Sequence, residues 1–376
     1  MKLVAKLRLV TTAEQAAALL ATVERFNAAC EWLAGKAFAE RTANKFLLQR
    51  RYYGEIRSTF ELSAQMAVRV IAKVCEVYKR DKAKRPHFKP RGAIVYDQRL
   101  CSFKSLDRVS LLTLTGRQVM PYLFGEYQRP LVERLKGQAD LVYGKGVFYL
   151  YATADIPTPD SRIPDGVLGV DLGIKTIAAT SDGELFAGGH LNGLRRRYAR
   201  LRQRLQKKGT RSAKRLIRHR RGKERRFQAD TNHTISKRIV ETASTTNRAI
   251  GLEDLEGIRT RVKAPRDQRR VLHGWAFHQF RAFVTYKAQR AGVVVLAVDP
   301  SYTSQTCPAC GHIDRANRKS QADFLCTSCG LAGHADYIAS LNIQRRAAVM
   351  LPHVSVLSRQ VEPGSGHKLP ASAGSS

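Results

Sequence analysis

The sequence lacks two features that would tie the protein to a membrane. It has no apolar run of about 18 residues, the length that a membrane-spanning helix needs, and no signal-peptide pattern at its amino end. We therefore expect a cytoplasmic protein with no membrane partner. Disorder is excluded as well, because 376 residues with 43% hydrophobic content can build two or three globular domains.

Acidic residues are scarce relative to basic ones. The chain has 31 Asp and Glu against 65 Lys and Arg, which gives a formal net charge of +34. Solubility needs far less charge than this, so the excess predicts a polyanionic partner, which in the cytoplasm is nucleic acid. The alternative is a generally solvated basic surface, which rarely reaches such an imbalance.

Cysteines are few, and four of the seven form two close pairs. Each pair is a C-x-x-C motif followed by glycine, and 15 residues separate them: Cys307 and Cys310, then Cys326 and Cys329. In a cytoplasmic chain this spacing predicts a zinc ribbon, in which four thiolates form a closed tetrahedral site, rather than two disulfides. The other three cysteines are scattered and are predicted to be ordinary buried thiols: Cys30, Cys75 and Cys101.

Three carboxylates follow or precede apolar segments in similar settings. The segment VLGVDLGIKTIAATSDG from Val167 to Gly183 predicts a β-hairpin with Asp171 at the end of its first strand. Taken alone, Asp171 is either a metal ligand or a paired core charge, because a buried carboxylate must be neutralised. Glu253 ends another apolar run, and Asp336 precedes a helical pattern. Three carboxylates on one sheet would suit Mg²⁺, and two such ions about 4 Å apart can hydrolyse phosphodiesters.

The order of these motifs resembles that of TnpB proteins. The matching segments are GVDLGIKTIAATSDG, IGLEDLEG, SYTSQTCPACG, CTSCG and HADYIASLNI, and they span Val167 to about Arg346. TnpB proteins are transposon-encoded RNA-guided DNA endonucleases related to the ancestors of type V CRISPR effectors. The resemblance implies a RuvC-type nuclease domain of ribonuclease H fold.

The resemblance also implies the site and its partners. Asp171, Glu253 and Asp336 take the three catalytic carboxylate positions and hold two Mg²⁺ ions. The implied partners are a guide RNA from the transposon end and a target double-stranded DNA with a short adjacent motif, bound by a monomeric protein. One departure concerns Ile338, because the family usually has Asn two residues after the third carboxylate and this chain does not.

The first 156 residues predict a barrel with helices inserted into it. Lys2 to Val10 is a predicted strand, and Thr12 with Gln15 fits a capping box that starts a helix. A second long helix is predicted from Leu62 to Arg80, and short strands follow from residue 86. Residues 1–10 and 86–156 thus form one predicted β-barrel, and residues 11–85 a helical lobe. TnpB-like proteins are similar, with a wedge barrel and a recognition lobe that grips guide RNA and target duplex.

Basic and aromatic residues alternate between the two predicted long helices. The segment from Lys45 to Arg57 mixes arginines with Phe46, Tyr52 and Tyr53. Such residues can stack on bases while pairing with phosphates, or the tyrosines can simply pack the helical pair. Both interpretations remain open at this point.

The second half predicts an α/β domain with an insertion. The expected bounds are 165–301 and 336–348 for the nuclease domain, 302–335 for the zinc ribbon and 350–376 for a flexible tail. Trp275 to Gln289 is predicted to be an amphipathic helix, and Val293 to Val298 a buried strand. Glu253 and Asp254 are neighbours, so only one can face Asp171. The resemblance selects Glu253 and leaves Asp254, like Asp299, a structural role.

The most basic segment lies between residues 195 and 226. It contains 17 Lys and Arg and a single acid, and it predicts a helical hairpin broken at Gly209. A phosphate backbone along it would relieve the repulsion, and binding would then depend steeply on salt; a solvated face is the alternative. The candidate contacts are Arg195, Arg196, Arg197, Arg200, Lys207, Lys208, Lys214, Arg215 and Arg218.

The function expected from the sequence is RNA-guided DNA cleavage. Two other classes stay open: a guide-dependent DNA-binding protein that does not cut, and a guide-independent nuclease or transposition factor. An RNA of defined sequence that copurifies with the protein would favour guidance.

Overall fold

A computed structural model describes residues 1–255 and 277–351 of the chain. The chain divides into two compact units, Met1–Pro157 and Thr158 onward. Trp275 and the predicted tail after residue 351 lie outside the described residues. None of the described helices combines the length and apolar character needed to cross a membrane.

The first unit is built on a seven-stranded antiparallel sheet. Its strands are β1 (Lys2–Leu9), β2 (Ile94–Tyr96), β3 (Cys101–Phe103), β4 (Arg108–Thr113), β5 (Gly116–Leu123), β6 (Leu135–Gly144) and β7 (Val147–Asp155). The order is β2-β6-β7-β1-β5-β4-β3, and β3 also contacts β6, so the sheet is nearly closed. The first strand therefore lies in the middle of a sheet whose other strands follow 85 residues later, as the pattern predicted. β3 and the first half of β6 were not predicted, because neither segment alternates cleanly.

Three long helices fill the interval between β1 and β2. They are α1 (Ala13–Ala39), α2 (Lys45–Phe60) and α3 (Ala64–Arg80); a single turn, α4 (Arg129–Val132), follows later. The predicted capping box is confirmed, since Thr12 Oγ1 accepts from Gln15 N and Gln15 Oε1 accepts from Thr12 N, both at 3.2 Å. Helix α3 begins two residues later than predicted, because the Ser63 hydroxyl caps it.

The tyrosines of α2 pack within the first unit. Tyr52 meets Trp32 edge to face at 5.7 Å between ring centroids and hydrogen-bonds Glu40. Tyr53 also packs against the core. Of the two interpretations of this segment, helix packing is therefore favoured for the tyrosines, whereas Phe46 is exposed.

The second unit contains a mixed five-stranded sheet. Its strands are β8 (Gly166–Asp171), β9 (Thr176–Thr180), β10 (Leu185–Ala187), β11 (Arg248–Glu253) and β12 (Val295–Val298), in the order β10-β9-β8-β11-β12. The predicted hairpin is confirmed as β8 and β9, while β11 runs parallel to both β8 and β12. The prediction of a buried strand at Val293–Val298 was wrong in its burial, because β12 is an edge strand and Ala297 is exposed.

Helices cover both faces of this sheet. They are α5 (Gly189–Lys208), α6 (Arg211–Thr245), α7 (Phe277–Ala291) and α8 (Ala335–Ala348). Apolar residues of α6 and α7 pack with Leu168, Val170 and Leu252 on one face. Those of α8 pack with Val167 and Ala249 on the other. A two-stranded sheet of β13 (Asp323–Leu325) and β14 (Ala332–His334) immediately precedes α8.

Candidate functional site

Asp171 and Glu253 end two neighbouring parallel strands. Leu252 of β11 lies opposite Val170 of β8, so the next residue in each strand is one of the two carboxylates. Side chains alternate between the faces of a sheet, and both carboxylates share their face with Val167 and Ala249. They therefore lie side by side, on the face that α8 covers.

Close packing of α8 brings the third carboxylate to the same place. Gly169 of β8 lets the helix approach so far that a Cβ there would lie 2.1 Å from the Ser340 carbonyl oxygen. Asp336 is in the first turn of α8, and its Oδ2 is 3.9 Å from where a Cβ of Gly173 would be. All three predicted carboxylates line one cleft of about 410 Å³.

The three carboxylates in this cleft repel one another. Burial, and then the charges of Glu253 and Asp336, raise the pKa of Asp171 well above its usual value. Burial also raises the pKa of Glu253, while a hydrogen bond from Thr303 lowers it. Without a bound cation the cleft thus makes loss of the Asp171 proton less favourable. Hard divalent cations prefer such oxygen ligands and would remove the repulsion, so the donor set fits Mg²⁺.

Two residues of this cleft were missed by the sequence analysis. Thr303 donates a hydrogen bond of 2.6 Å to Glu253 Oε1 and is itself buried. Arg318 lies with Nη2 3.6 Å from Asp336 Oδ1 and lines the cleft. Thr303 belongs to the quoted motif SYTSQT, which could have drawn attention to it, whereas nothing in the sequence around Arg318 marks it.

Asp254 and Asp299 have other partners. Asp254 pairs with Arg281 of α7 at 2.5 Å, on the side of the sheet away from α8. Asp299 Oδ1 accepts hydrogen bonds from the backbone N–H and the hydroxyl of Ser301. These contacts agree with the structural roles predicted for both residues, although Asp254 also reaches the rim of the cleft.

Ile338 does not face the carboxylates. It is buried in a small apolar cluster with Phe324, Cys326 and Ala335, at the junction between α8 and the cysteine-bearing segment. The residue at the position where the TnpB motif has Asn therefore contributes apolar packing here.

The four paired cysteines converge on one point. The Sγ atoms of Cys307 and Cys329 are 3.5 Å apart, and those of Cys310 and Cys326 are 3.6 Å apart. Four sulfurs at about 2.3 Å from a tetrahedral zinc ion would be about 3.8 Å apart, whereas a disulfide would hold two at about 2.05 Å. All four sulfurs lie within 4.8 Å of one another, so they can share one metal ion.

One thiol of this cluster, that of Cys326, is prepared to lose its proton. The backbone N–H of Cys329 lies 3.4 Å from Cys326 Sγ, and this contact leads the causes that lower the pKa of Cys326 to about 6. The pKa of Cys329 is instead raised to about 12, because the lowering effect of the Leu331 backbone is outweighed by hydrogen bonds with Cys307 and Cys310. Because zinc binds thiolates, a lowered thiol pKa suits a zinc site. The other three cysteines are buried and scattered, as predicted.

The predicted helical hairpin is α5 and α6, joined at Gly209 in the left-handed conformation. The one acid of the basic segment, Glu224, pairs with Arg202 at 2.7 Å and so links the two helices. Arg195 is half-buried, and the other eight candidates are exposed. Arg196, Arg200 and Arg204 follow one another at four-residue spacing and line a groove on α5.

Two known families match segments that lie mostly in the second unit. Residues 150–256 match a family described as a probable transposase, and residues 277–343 match the TNB domain of Cas12f1-like proteins. The TnpB-like protein MJ0751 of Methanocaldococcus jannaschii is 33% identical over 154 residues, which is 40% of this chain and 55% of that protein. The resemblance to TnpB is thereby confirmed. The chain is also 33% identical, over 260 residues, to the CRISPR-associated endodeoxyribonuclease Cas12f1 of Sulfoacidibacillus thermotolerans.

These sequence matches cover only part of this chain and only part of each relative. The match to Cas12f1 spans 64% of this chain and 59% of that protein, so the chain spans little more than half the length of these curated relatives. The fold extends further: the cryo-EM structure of a Cas12f1–sgRNA–target DNA complex is similar with a TM-score of 0.59. That similarity covers 89% of this chain and 83% of the other at 15% identity.

Proposed function

We propose that the protein is an RNA-guided DNA endonuclease, associated with a transposon, that cuts its target by Mg²⁺-dependent hydrolysis. The observation that carries the proposal is the convergence of Asp171, Glu253 and Asp336 in one cleft, where burial and the charges of the other two carboxylates raise the pKa of Asp171. Sequence similarity supports the proposal, because one relative is an endodeoxyribonuclease and another is a TnpB-like protein. The structure with the similar fold holds guide RNA and target DNA.

The second unit supplies the chemistry in this proposal. Residues 165–301 and 336–348 form a RuvC-type, ribonuclease H-like nuclease domain, and residues 302–335 a zinc ribbon. When bound by the three carboxylates, magnesium would activate a water and stabilise the leaving oxygen. Thr303 fixes the orientation of the Glu253 carboxylate, and Arg318 places a positive charge beside the cleft, where a scissile phosphate would lie.

The remaining parts hold nucleic acid. The sheet of residues 1–10 and 86–156 is the wedge barrel, and residues 11–85 are the recognition lobe. The basic hairpin of α5 and α6 contacts phosphates, which suits its 17 cations and single acid. Zinc at the four cysteines fixes the segment that leads directly into Asp336.

Cleavage tests the proposal. RNA that copurifies with the protein is sequenced, and target DNA matched to it is incubated with the complex in Mg²⁺. Wild-type protein should cut, whereas Asp336→Asn should bind the same target without cutting, because the amide removes one ligand charge and little volume. Asp323→Asn is the matched control, since this exposed aspartate in β13 is outside the cleft.

Each alternative has its own outcome. Wild-type protein that binds matched DNA but never cuts it would indicate a guide-dependent binding protein. Cutting of unmatched DNA with no defined RNA bound would indicate a guide-independent nuclease or transposition factor. Equal cutting by wild type and Asp336→Asn would contradict the assignment of the carboxylates.

A further inference from the structure

The outer face of the first unit's sheet carries two tyrosines beside two cations. Along β1 the residues alternate, with Ala5, Leu7 and Leu9 buried and the residues between them exposed. The register pairs Lys6 with Tyr151 and Arg8 with Tyr149 of β7. Residues directly opposite each other in a sheet point to the same side, so all four share the exposed face. We call Lys6, Arg8, Tyr149 and Tyr151 the tyrosine face.

The contacts within this face are weak and open. Lys6 Nζ lies 4.4 Å from the ring centroid of Tyr149 and 5.9 Å from that of Tyr151. Both tyrosines are half-buried rather than fully exposed, and apolar neighbours on the flanking positions are exposed, with Val4 at 59% and Leu123 at 55%. Leu123 lies opposite Arg8 across β1 and β5. Exposed apolar and aromatic side chains grouped on one face mark a binding surface.

The charge of the face indicates what it binds. Within residues 1–255 and 277–351, neither Lys6 nor Arg8 has an ion-pair partner. The carboxylates in register are Asp140, opposite Tyr151, and Asp155. Asp140 interacts with Lys73 and Arg69, and Lys136 already holds Asp155 at 2.8 Å. Two unneutralised cations beside two ring faces complement a ligand that has both π-faces and negative charge.

We propose that the tyrosine face binds two unpaired nucleotides of RNA, one base stacking on Tyr149 and one on Tyr151. Aromatic residues two positions apart on an exposed strand can each take one of two successive bases, as sheet-based RNA-binding modules do. Lys6 leaves the rings on binding and contacts a phosphate, together with Arg8, because its four-carbon stem is flexible. This inference rests on the proposed RNA partner and adds to it a contact with bases, which backbone binding by the basic hairpin does not provide.

The test compares single-stranded and duplex RNA with the full-length protein. The double variant Tyr149→Ala/Tyr151→Ala should bind a short unstructured RNA about 5- to 150-fold more weakly for each base that loses its stacking partner. Its affinity for a blunt RNA duplex should be unchanged, because paired bases cannot stack on the rings. Tyr149→Phe/Tyr151→Phe should bind like wild type, since phenylalanine retains the ring. Thr153→Ala is a control on the same face of β7 without a ring.

The outcomes separate this inference from the proposed function. Wild-type protein that binds no RNA would overturn both. If wild type binds RNA and the alanine pair binds single strands equally well, only the tyrosine face is refuted. If the alanine pair loses affinity only for single-stranded DNA of the same sequence, the face binds DNA. If it loses affinity equally for single-stranded and duplex RNA, the variant has lost structure in general. Either result overturns the inference.

Discussion

Replacing Gly169 by alanine would test how closely α8 must pack to place Asp336. A Cβ at this position would lie 2.1 Å from the Ser340 carbonyl oxygen and 2.6 Å from the Gln344 backbone nitrogen. Real Cβ contacts essentially never fall below 3.0 Å, and both neighbours are backbone atoms that cannot rotate away. The helix must therefore move by about 0.9 Å from β8.

This displacement should cost both stability and activity. Overpacking of a well-packed core costs about 1–3 kcal/mol. For a unit of this size each kcal/mol lowers the melting temperature by about 2–4 °C, so we expect a decrease of about 2–12 °C. Asp336 is in the first turn of α8 and would move with it. A misplacement of about 1 Å can reduce catalysis by about 100-fold.

The assay is thermal unfolding together with the rate at which guide-bound protein cuts matched DNA in Mg²⁺. Gly166→Ala is the matched control, because it lies on the same strand and its new Cβ would meet only the Arg248 Cγ, at 4.0 Å. Gly169→Ala protein that melts and cuts like the Gly166→Ala control would refute the argument that close packing of α8 positions the third carboxylate.

Three further perturbations address the charges and metals. In EDTA, stability should fall as pH rises above about 4, because Asp171 has a raised pKa in the folded state and binds its proton more tightly there. Asp171→Asn should melt higher than wild type at neutral pH, and a difference that does not change with pH would contradict this. Cys326→Ser should release zinc, as measured by mass spectrometry, and should lower the rate of cleavage. The control Cys75→Ala should retain zinc. Wild-type protein that contains no zinc would refute the site. Alanine at four arginines of α5 should weaken nucleic-acid binding. The slope of log affinity against log salt concentration should become shallower by up to about 0.9 for each phosphate that is no longer neutralised. An unchanged slope would show that these arginines do not bind phosphates. These four are Arg195, Arg196, Arg197 and Arg200.

The strand-end carboxylates could be located from the sequence because buried strands leave a clear pattern. β8 and β11 are continuous apolar runs that each end in an acid, and side-chain alternation allows only one of Glu253 and Asp254 to face Asp171. Thr303 and Arg318 could not be found in this way. They come from irregular segments, whose path depends on tertiary packing rather than on a periodic pattern.

Burial and element bounds were the less predictable parts of the fold. An apolar run such as Val293–Val298 predicts a strand, but its position in the sheet depends on which partners pair with it. β12 has a partner on one side only, so its residues are more exposed than the run suggests. Similarly, β6 extends back to Leu135 because β7 supplies hydrogen bonds to a segment with little strand pattern of its own.

The position of Ile338 shows how a departure from a family motif can leave the carboxylates in place. Residues two apart on a helix point in different directions, so Ile338 and Asp336 face different neighbours. Ile338 packs with Phe324 and Cys326 of the cysteine-bearing segment, and the Asn342 side chain ties α8 to the Thr303 and Thr306 carbonyls at 2.8 and 2.7 Å. Both contacts hold α8 to the chain that precedes it without involving the Asp336 carboxylate. We therefore expect substitution of Ile338 to weaken the junction between α8 and the cysteine-bearing segment, while the three carboxylates stay in place.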